Sequence, residues 1–319
     1  MNYYATLGES CKDAATIAAL LRAGISCFRL NLSHGSLRAK ADWLAALRRA
    51  ERDAGLPAGL LIDLRGPELR TGKTVPAAAL SLGDTLPLSA LALPEAIAAA
   101  LPPGQELRVD DSGAVLTLQA DGLCRVTRPG RVGPRKSVAL PGLDLHLPPL
   151  TAEDRADLAD GPAFGVTAVM QPFVRSREEL DTVRRAMIQA GLGGATLYAK
   201  VEDAAGLNAL PDWIDGCDVV TAARGDLGAN LGLEHVPAAQ RRIAAVCRQA
   251  HKPLLVVTEL LSSMTERPVP TRAEVSDICH AVWDGAEHLM LTNETAAGKY
   301  PTEAAAWLVK CARAAMSYR

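Results

Sequence analysis

The chain has 319 residues, 49% of them hydrophobic, which is enough for one large core or for a large domain with a small insert and excludes a small all-helical module. Its formal net charge is -2 with acids and bases interspersed, so neither a basic stripe for nucleic acid nor a cationic helix for a membrane surface is present. No apolar stretch approaches the roughly 20 residues that span a bilayer, and no signal-like start is seen, so we expect a cytoplasmic protein with a small-molecule partner.

The cysteines and histidines form no recognisable ligand pattern. The seven cysteines include no CxxC pair, and an odd number cannot all be bridged, so we expect reduced core thiols. The six histidines also lack metal-ligand spacing. Zinc is therefore disfavoured, and we expect any metal to be bound by oxygen ligands.

The first third of the chain alternates strand and helix. A short strand at residues 3–8 precedes an amphipathic helix that ends near Gly24, and a second strand follows at residues 27–35. Residues two apart in a strand share a face, so Arg29, Asn31 and Ser33 are predicted to point the same way. A second helix leads into an apolar strand that ends in charge at Asp63.

The alternation stops at about Lys73. Residues 74–137 contain several Pro and Gly punctuators, short apolar runs and the turn-like sequence VDDSG, all typical of a small β-rich insert. Within it, residues 93–104 could form a helical turn. We interpret residues 74–137 as a separate lid domain.

From residue 138 onward the alternation resumes. Thr151 with acids behind it predicts a capped helix, and five more strands follow, each succeeded by helical sequence, at residues 165–174, 195–203, 217–228, 253–261 and 287–295. The chain thus has eight strand–helix units outside the insert. We predict an α/β fold, a (β/α)8 TIM barrel of residues 1–73 and 138–319 with the lid domain inserted after strand 3.

Polar residues stand at the ends of most of these strands. Any one of them could be a solvated rim residue, but in such barrels the chemistry gathers at the carboxyl ends of the strands. The sixth strand is typical: apolar residues run into Arg224, Gly225 and Asp226, where glycine allows close approach of a ligand and the carboxylate offers a hard oxygen. The full set at strand ends is Arg29, Asn31, Asp63, Lys200, Glu202, Arg224, Asp226, Thr258 and Glu294.

This set favours phosphoryl chemistry assisted by a divalent cation. Glu202 and Asp226 could hold one magnesium ion and leave open positions for substrate oxygens. Lys200 lies on the same strand face as Glu202 and would neutralise the charge of a phosphoryl group during its transfer. Arg29 could do so from the opposite wall of the barrel. A structural Lys200–Glu202 salt bridge is the alternative, and we disfavour it because a buried pair gives little net stability.

Eight segments of the chain, in the same order, together resemble the pyruvate kinase family. They are FRLNLSHG, IDLRGPELRTG, VDDSG, RKSVALPG, AKVEDAAG, ARGDLG, PTRAEVSDI and NETAAGKYPTEA. The resemblance runs from Thr6 to the last helix and includes the position of the insert. It implies transfer of the phosphoryl group of phosphoenolpyruvate to ADP, with protonation of the resulting enolate to give pyruvate and ATP.

The resemblance also implies roles for individual residues. Glu202 and Asp226 would bind Mg²⁺ or Mn²⁺, with Lys200 and Arg29 on the phosphoryl group. The K⁺ ligands would be Asn31, Ser33, Asp63 and the backbone carbonyl of Leu64. The substrate carboxylate would meet Thr258, Gly225 and Asp226, and the nucleotide would meet His34, Arg70 and, from the lid, Lys136. Glu294 and Thr292 would belong to the proton relay, and an acid at Glu68 would accompany K⁺ dependence.

The chain also departs from the family pattern. The altered positions lie on the rim and the proton relay: Glu9, Pro172, Glu259, Ser262 and Asn293. The insert is short, and since the chain ends at Arg319 we expect a short form without the family's C-terminal regulatory domain. Such a form should show no cooperative activation by sugar phosphates and could form a homodimer through residues 268–277 and the last helix.

These departures leave other functions open. A pyruvate kinase relative could act on a different small molecule, or a catalytically silent protein could bind a metabolite for regulation. A metal-dependent lyase or aldolase of a pyruvate-binding barrel is a weaker alternative, because such an enzyme would not need Lys136 or a phosphoryl-binding Arg29.

Overall fold

The computed structural model describes residues 1–109, 113–143 and 147–318. Its first elements alternate as predicted. Asp13 caps the first helix by accepting the Thr16 N–H, and Gly24, at φ 112°, ends it in the left-handed conformation. The elements are β1 (Asn2–Thr6), α1 (Ala14–Ala23), β2 (Cys27–Asn31), α2 (Ala41–Ala54) and β3 (Gly59–Asp63).

The insert is β-rich and contains one short helix. Its elements are β4 (Ala78–Leu80), β5 (Thr85–Pro87), α3 (Glu95–Ala100), β6 (Glu106–Val109), β7 (Val115–Leu118), β8 (Leu123–Arg128), β9 (Gly130–Val132) and β10 (Val138–Ala139). They form a five-stranded sheet of order β10-β6-β7-β8-β5 and a two-stranded sheet of β4 and β9. The sheet therefore reaches two residues past position 137, and the domain division itself stays a prediction. Residues 110–112, the centre of the VDDSG sequence, lie outside the described residues.

The second half of the chain repeats the strand–helix alternation. Thr151 and Asp154 form a capping box at the start of the first helix of this half. The elements are α4 (Ala152–Phe164), β11 (Ala168–Gln171), α5 (Arg177–Gln189), β12 (Thr196–Val201), α6 (Ala204–Trp213), β13 (Val219–Ala223), α7 (Arg224–Leu231), α8 (Val236–Gln249), β14 (Leu254–Val257), α9 (Arg272–Asp284), β15 (His288–Leu291), α10 (Asn293–Ala296) and α11 (Pro301–Ser317).

Eight of these strands close into a parallel barrel. Their order is β1-β15-β14-β13-β12-β11-β3-β2, and the insert follows β3. The predicted (β/α)8 barrel is confirmed. Its strands read as nearly continuous apolar runs because one face packs on the helices and the other fills the barrel: Leu60 and Ile62 belong to the outer core, whereas Leu61 lies in the inner one.

The inner core contains a small polar cluster of Tyr4, Tyr198 and His288. The hydroxyls of Tyr4 and Tyr198 lie 2.7 Å apart, and the His288 ring packs edge-on to Tyr4 with centroids 5.6 Å apart. Burial lowers the pKa of His288 to about 4, with the terminal amino group adding to the effect. This histidine is therefore neutral at pH 7 and acts as a packing residue.

Two local expectations are wrong. The second strand was predicted to continue through Ser33, but β2 ends at Asn31, and residues Leu32–His34 form a 3-10 turn. The Asn31 side chain accepts the Ser33 N–H at 3.0 Å, a local bond that competes with continued strand structure. The sixth strand likewise ends at Ala223, and its polar residues begin helix α7.

The expectation of reduced cysteines is confirmed, since all seven, which fall within the described residues, are free thiols. Six are buried, and Cys279 is half-buried. Among the described helices, none combines the length and the apolarity that a membrane span requires.

Candidate active site

A cavity of about 630 Å³ opens at the carboxyl ends of the barrel strands, between the barrel and the insert. Of the strand-end residues predicted from the sequence, Arg224 and Glu294 do not line it. The predicted residues in its wall are Arg29, Asn31, Ser33, His34, Asp63, Leu64, Arg70, Lys136, Lys200, Glu202, Gly225, Asp226 and Thr258. Barrel closure thus brings together residues that are up to 229 positions apart in the chain, from Arg29 to Thr258.

Arg29 is held by two neighbours at the floor of the cavity. Its Nε and Nη2 donate to Asp63 Oδ2 at 2.9 and 2.6 Å, and its Nη1 donates to Thr6 Oγ1 at 3.2 Å. The neighbouring strands β2 and β3 are in register at this end, with Asn31 opposite Asp63. The guanidinium therefore has a fixed orientation and retains limited exposure to the cavity.

Lys200 forms ion pairs with two carboxylates. Its Nζ lies 2.9 Å from Glu202 Oε1 and 3.3 Å from Asp63 Oδ1. The Lys200–Glu202 salt bridge, which we disfavoured as the role of Lys200, does form, but it belongs to a network with a second carboxylate and is not an isolated pair. Burial alone would lower the pKa of Lys200, but Asp63, Glu202 and Asp226 raise it above its ordinary value. Lys200 is a permanent cation at the cavity wall.

The two buried carboxylates respond differently to this environment. Burial would raise the pKa of Asp63, but Lys200 and Arg29 outweigh that effect and hold the pKa below its ordinary range. For Glu202, burial dominates over the attraction of Lys200 and raises the pKa. Asp63 is thus firmly ionised, whereas an added cation would favour ionisation of Glu202.

The donor set fits a cation held by oxygen. Within the described residues, the buried atoms Asp63 Oδ1 and Glu202 Oε1 accept no hydrogen bond of good geometry, and each instead forms an ion pair with Lys200. Arg29 and Lys200 supply two positive charges against the three carboxylates Asp63, Glu202 and Asp226, so an added cation would balance the charge of the site. In the same part of the chain, no three His, Cys, Asp or Glu residues cluster as a metal site. An ion at Glu202 and Asp226 would complete its shell with water or substrate oxygens.

Asp226 lies in the first turn of α7, close to the loop after β14. A Cβ added at Gly225 would lie 3.1 Å from Thr258 Cγ2, so glycine lets the start of this helix approach Thr258. Thr258 itself has φ 82°, a left-handed conformation uncommon for a β-branched residue. The helix N-terminus and the Thr258 hydroxyl together can receive an anion.

The outer part of the cavity is basic. Arg70 donates to Glu68 Oε2 at 2.6 Å and to the Arg135 carbonyl at 2.8 Å, while the Lys136 N–H donates to Thr71 Oγ1 at 2.8 Å. Burial, with the cations Arg70 and Arg29, lowers the pKa of His34, which is therefore neutral at pH 7.

The residues predicted as K⁺ ligands also line the cavity, although Ser33 does not do so from the strand as predicted. Ser33 reaches it from the 3-10 turn and not from the strand face, and the Asn31 side-chain oxygen Oδ1 already accepts the Ser33 N–H. Asp63 Oδ1 accepts no hydrogen bond of good geometry within the described residues and lies 3.3 Å from Lys200 Nζ. Asn31 and Asp63 fit a monovalent ion as weak, adjustable oxygen ligands.

Glu294 lies behind the cavity wall. It is 1% exposed and accepts the N–H groups of Leu261 and Thr292 at 3.0 and 2.7 Å and the Thr292 hydroxyl at 3.1 Å. Thr292 does line the cavity. Glu294 thus fastens two loops and touches the site through the Thr292 hydroxyl.

Sequence reasoning missed Phe173. Its N–H donates to Glu202 Oε2 at 2.8 Å, it lines the cavity, and it adopts φ 51°. A left-handed phenylalanine costs free energy and is held by its surroundings. No local sequence pattern signals such a conformation, although Pro172 marks the end of the strand.

Comparisons with known proteins agree with this geometry. A family model described as pyruvate kinase, barrel domain, matches residues 2–305. The chain is 38% identical over 315 residues to a pyruvate kinase of Aeropyrum pernix, covering 96% of this chain and 69% of that protein. It is 38% identical to one of Methylorubrum extorquens (94% and 65% covered) and 33% identical to one of Leishmania mexicana (98% and 66% covered). The chain spans about two thirds of the length of these relatives.

Proposed function

The chain belongs to the pyruvate kinase family, and from this premise we propose that it transfers the phosphoryl group of phosphoenolpyruvate to ADP, forming pyruvate and ATP. The observation that carries the proposal is the charge distribution of one cavity. Its buried end contains three carboxylates, Asp63, Glu202 and Asp226, beside two cations, Arg29 and Lys200. Its outer end is basic, with Arg70, Arg135 and Lys136 beside Glu68.

This distribution suits the two substrates. A cation and a phosphoryl group fit the buried end, where fixed charges act in a site with little water. The nucleotide phosphates fit the outer end, at His34, Arg70 and Lys136. Phosphoryl transfer needs mainly positioning and charge stabilisation, which this cavity supplies.

In the proposed mechanism, Arg29 and Lys200 orient the phosphoryl group and neutralise its charge during transfer. The amides of Gly225 and Asp226, at the start of α7, and the Thr258 hydroxyl bind the substrate carboxylate. The Thr292 hydroxyl, held by Glu294, and the Thr258 hydroxyl are the candidates for passing a proton to the enolate.

Two cations are part of the proposal. Glu202 and Asp226 would hold Mg²⁺ or Mn²⁺, which would supply positive charge beside the transferring group. Asn31, Ser33, Asp63 and the Leu64 carbonyl would hold K⁺, which would add a fixed charge. The excess of carboxylates over cations at the buried end of the cavity supports the presence of added positive charge there. We also propose a cytoplasmic location and a homodimer.

A coupled assay with phosphoenolpyruvate and a panel of nucleoside diphosphates, with and without Mg²⁺, tests the function. We expect Mg²⁺-dependent formation of pyruvate with ADP, abolished by Asp226→Ala with almost no change in Tm, because a rim carboxylate contributes little to the core. The matched control is Asp212→Ala, an exposed carboxylate on α6. Absence of turnover with every nucleotide, or unchanged turnover in Asp226→Ala, contradicts the proposal.

A second candidate is a family relative that acts on a different small molecule. It is favoured by Pro172 and Asn293, two departures from the family pattern that line the cavity. Other phosphorylated acids, offered in the same assay with Mg²⁺ and a nucleotide, distinguish the two candidates.

A further inference from the structure

The turn that follows β14 is strained. Thr258 has φ 82° and Glu259 has φ 55°, so two consecutive residues other than glycine adopt the left-handed conformation. Each of them costs free energy that the surrounding structure must supply, and such conformations concentrate at functional sites. Thr258 lines the cavity, whereas Glu259 is exposed.

Arg224 forms hydrogen bonds to this turn from outside the cavity. Its Nε and Nη2 both donate to the Thr258 carbonyl, at 3.1 and 2.7 Å. Its Nη1 donates to Asp277 Oδ1 on α9 at 2.8 Å and makes a longer contact of 3.5 Å to Gln240 Oε1. With a side chain only 11% exposed, the guanidinium has one planar orientation, which is fixed by three elements.

The other side of the turn is also fastened. Glu294 accepts the Leu261 N–H, and Gly225, next to Arg224, packs against the Thr258 side chain. Thr258 thus lines the cavity while its carbonyl is bound by Arg224. Arg224 itself is not among the residues that line the cavity.

We propose that Arg224 is a positioning residue that holds the Thr258–Glu259 turn in its left-handed conformation through the Thr258 carbonyl. The consequence for turnover rests on the proposed function, because there Thr258 binds the substrate carboxylate. The contact to Asp277 is secondary, since Asp277 is 37% exposed and an ion pair at the surface contributes little. Two donors to one part-buried carbonyl form the contact that decides the geometry.

The activity test uses Arg224→Lys, which keeps the charge but cannot place two donors of a planar fork on one carbonyl. We expect kcat/KM for phosphoenolpyruvate to fall about 100-fold, the size expected for misplacement of a binding group by about 1 Å, with KM for ADP unchanged. Asp277→Asn, the matched control, should lose less than about threefold. Equal losses in the two variants would overturn the proposal.

Rescue separates positioning from general stability. Glycine adopts the left-handed conformation without cost, so Glu259→Gly in the Arg224→Lys background should restore kcat/KM for phosphoenolpyruvate by about tenfold. Glu259→Gly alone should have nearly wild-type activity. A double variant no more active than Arg224→Lys would mean that Arg224 acts by some other route, and the proposal would be wrong.

A spectroscopic measurement makes the test independent of the enzyme's activity. In protein with labelled threonine methyls, the Thr258 signal is assigned by its loss in Thr258→Ser. We expect Arg224→Lys to shift or broaden this signal and Glu259→Gly to return it toward the wild-type position, with Tm altered little in each variant. An unmoved signal in Arg224→Lys overturns the inference. Absence of turnover in the wild type with a responsive signal instead overturns only the proposed function.

Discussion

At the scale of single residues, substitution of Glu68 tests whether the protein uses a monovalent cation. Its Oε2 lies 2.6 Å from Arg70 Nη2, and both side chains line the cavity. In the proposed site, this acid accompanies a bound K⁺, and a lysine in its place would supply the ion's charge. The charge near the transferring group is what stabilises transfer.

We therefore expect low activity in buffer without Na⁺ or K⁺, strong recovery with K⁺, and a reduced dependence in Glu68→Lys. The matched control is Glu68→Gln, which removes the acid without adding a cation and should stay dependent on K⁺. The measurement is the ratio of rates in potassium and tetramethylammonium buffers at saturating Mg²⁺ and substrates. Full wild-type activity in tetramethylammonium would show that the K⁺ assignment is wrong.

The neighbouring pair Arg135 and Lys136 offers a comparison of two cations in one turn. Both line the cavity, but Arg135 is exposed and contacts Arg70 through its backbone carbonyl, which a substitution leaves in place. If Lys136 binds a nucleotide phosphate, Lys136→Met should lower kcat/KM for ADP at least about tenfold, whereas Arg135→Met should change it much less. Equal and small effects, measured by steady-state kinetics, would identify a solvated basic pair.

At the scale of elements, the start of α9 is hydrogen-bonded to the loop that follows β14. Glu274 closes the capping box with Thr271 and also accepts the Ser263 N–H and hydroxyl, both at 2.6 Å. Burial would raise the pKa of Glu274, but the bonds from Ser263 and Thr271 hold it below its ordinary value. Because the folded pKa is lowered, this stabilisation is present above the ordinary pKa of a glutamate and is lost as the pH falls through the folded value.

Glu274→Gln should therefore lower the free energy of unfolding by about 1 kcal/mol at pH 7. The difference from the wild type should shrink as the pH falls below about 4. Urea unfolding at pH 7 and pH 3.5 measures both values. Glu266→Gln, which removes an exposed partner of Lys299, serves as a control with little expected effect at either pH. A Glu274→Gln variant as stable as the wild type at pH 7 would contradict this account of the loop.

At the scale of the whole molecule, the insert contacts the helix that carries Asp226. Arg108 on β6 donates to the Ala229 carbonyl of α7 at 2.5 Å, and near the cavity Arg70 pairs with Ser137 in an antiparallel bridge. The bridge lies where the insert joins the barrel in sequence, whereas the Arg108 contact links the middle of the insert to α7. The Arg108–Ala229 hydrogen bond therefore opposes movement of the insert away from the barrel.

Arg108→Met should raise KM for ADP about fivefold, the factor that corresponds to a net hydrogen bond of roughly 1 kcal/mol, with KM for phosphoenolpyruvate almost unchanged. The control Arg128→Met removes a contact to the Gly113 carbonyl inside the insert and should leave both constants unchanged. Steady-state kinetics with each substrate varied in turn measures the difference. A larger change in KM for phosphoenolpyruvate than for ADP would mean that the insert does not act on the nucleotide side.

The sequence by itself determined the barrel, the position of the insert and most of the cavity wall. Short apolar strands alternating with amphipathic helices leave a parallel barrel as the economical closure, and parallel strands place their carboxyl ends at one rim. Residues such as Arg29, Asp63, Lys200 and Asp226 could therefore be assigned to one site before their distances were known. The family resemblance added roles that periodicity alone does not contain.

Only the tertiary structure decided which of these residues touch. Strand periodicity gives the face of a side chain but not its partner on another strand, so the Lys200–Asp63 pair depends on how the barrel closes. The burial of Glu294 and the hydrogen bonds from Arg224 to Thr258 join loops that follow different strands, so local sequence does not reveal them. The left-handed Phe173 and Thr258 leave no local signal at all, because contacts distant in sequence hold them against their intrinsic preference.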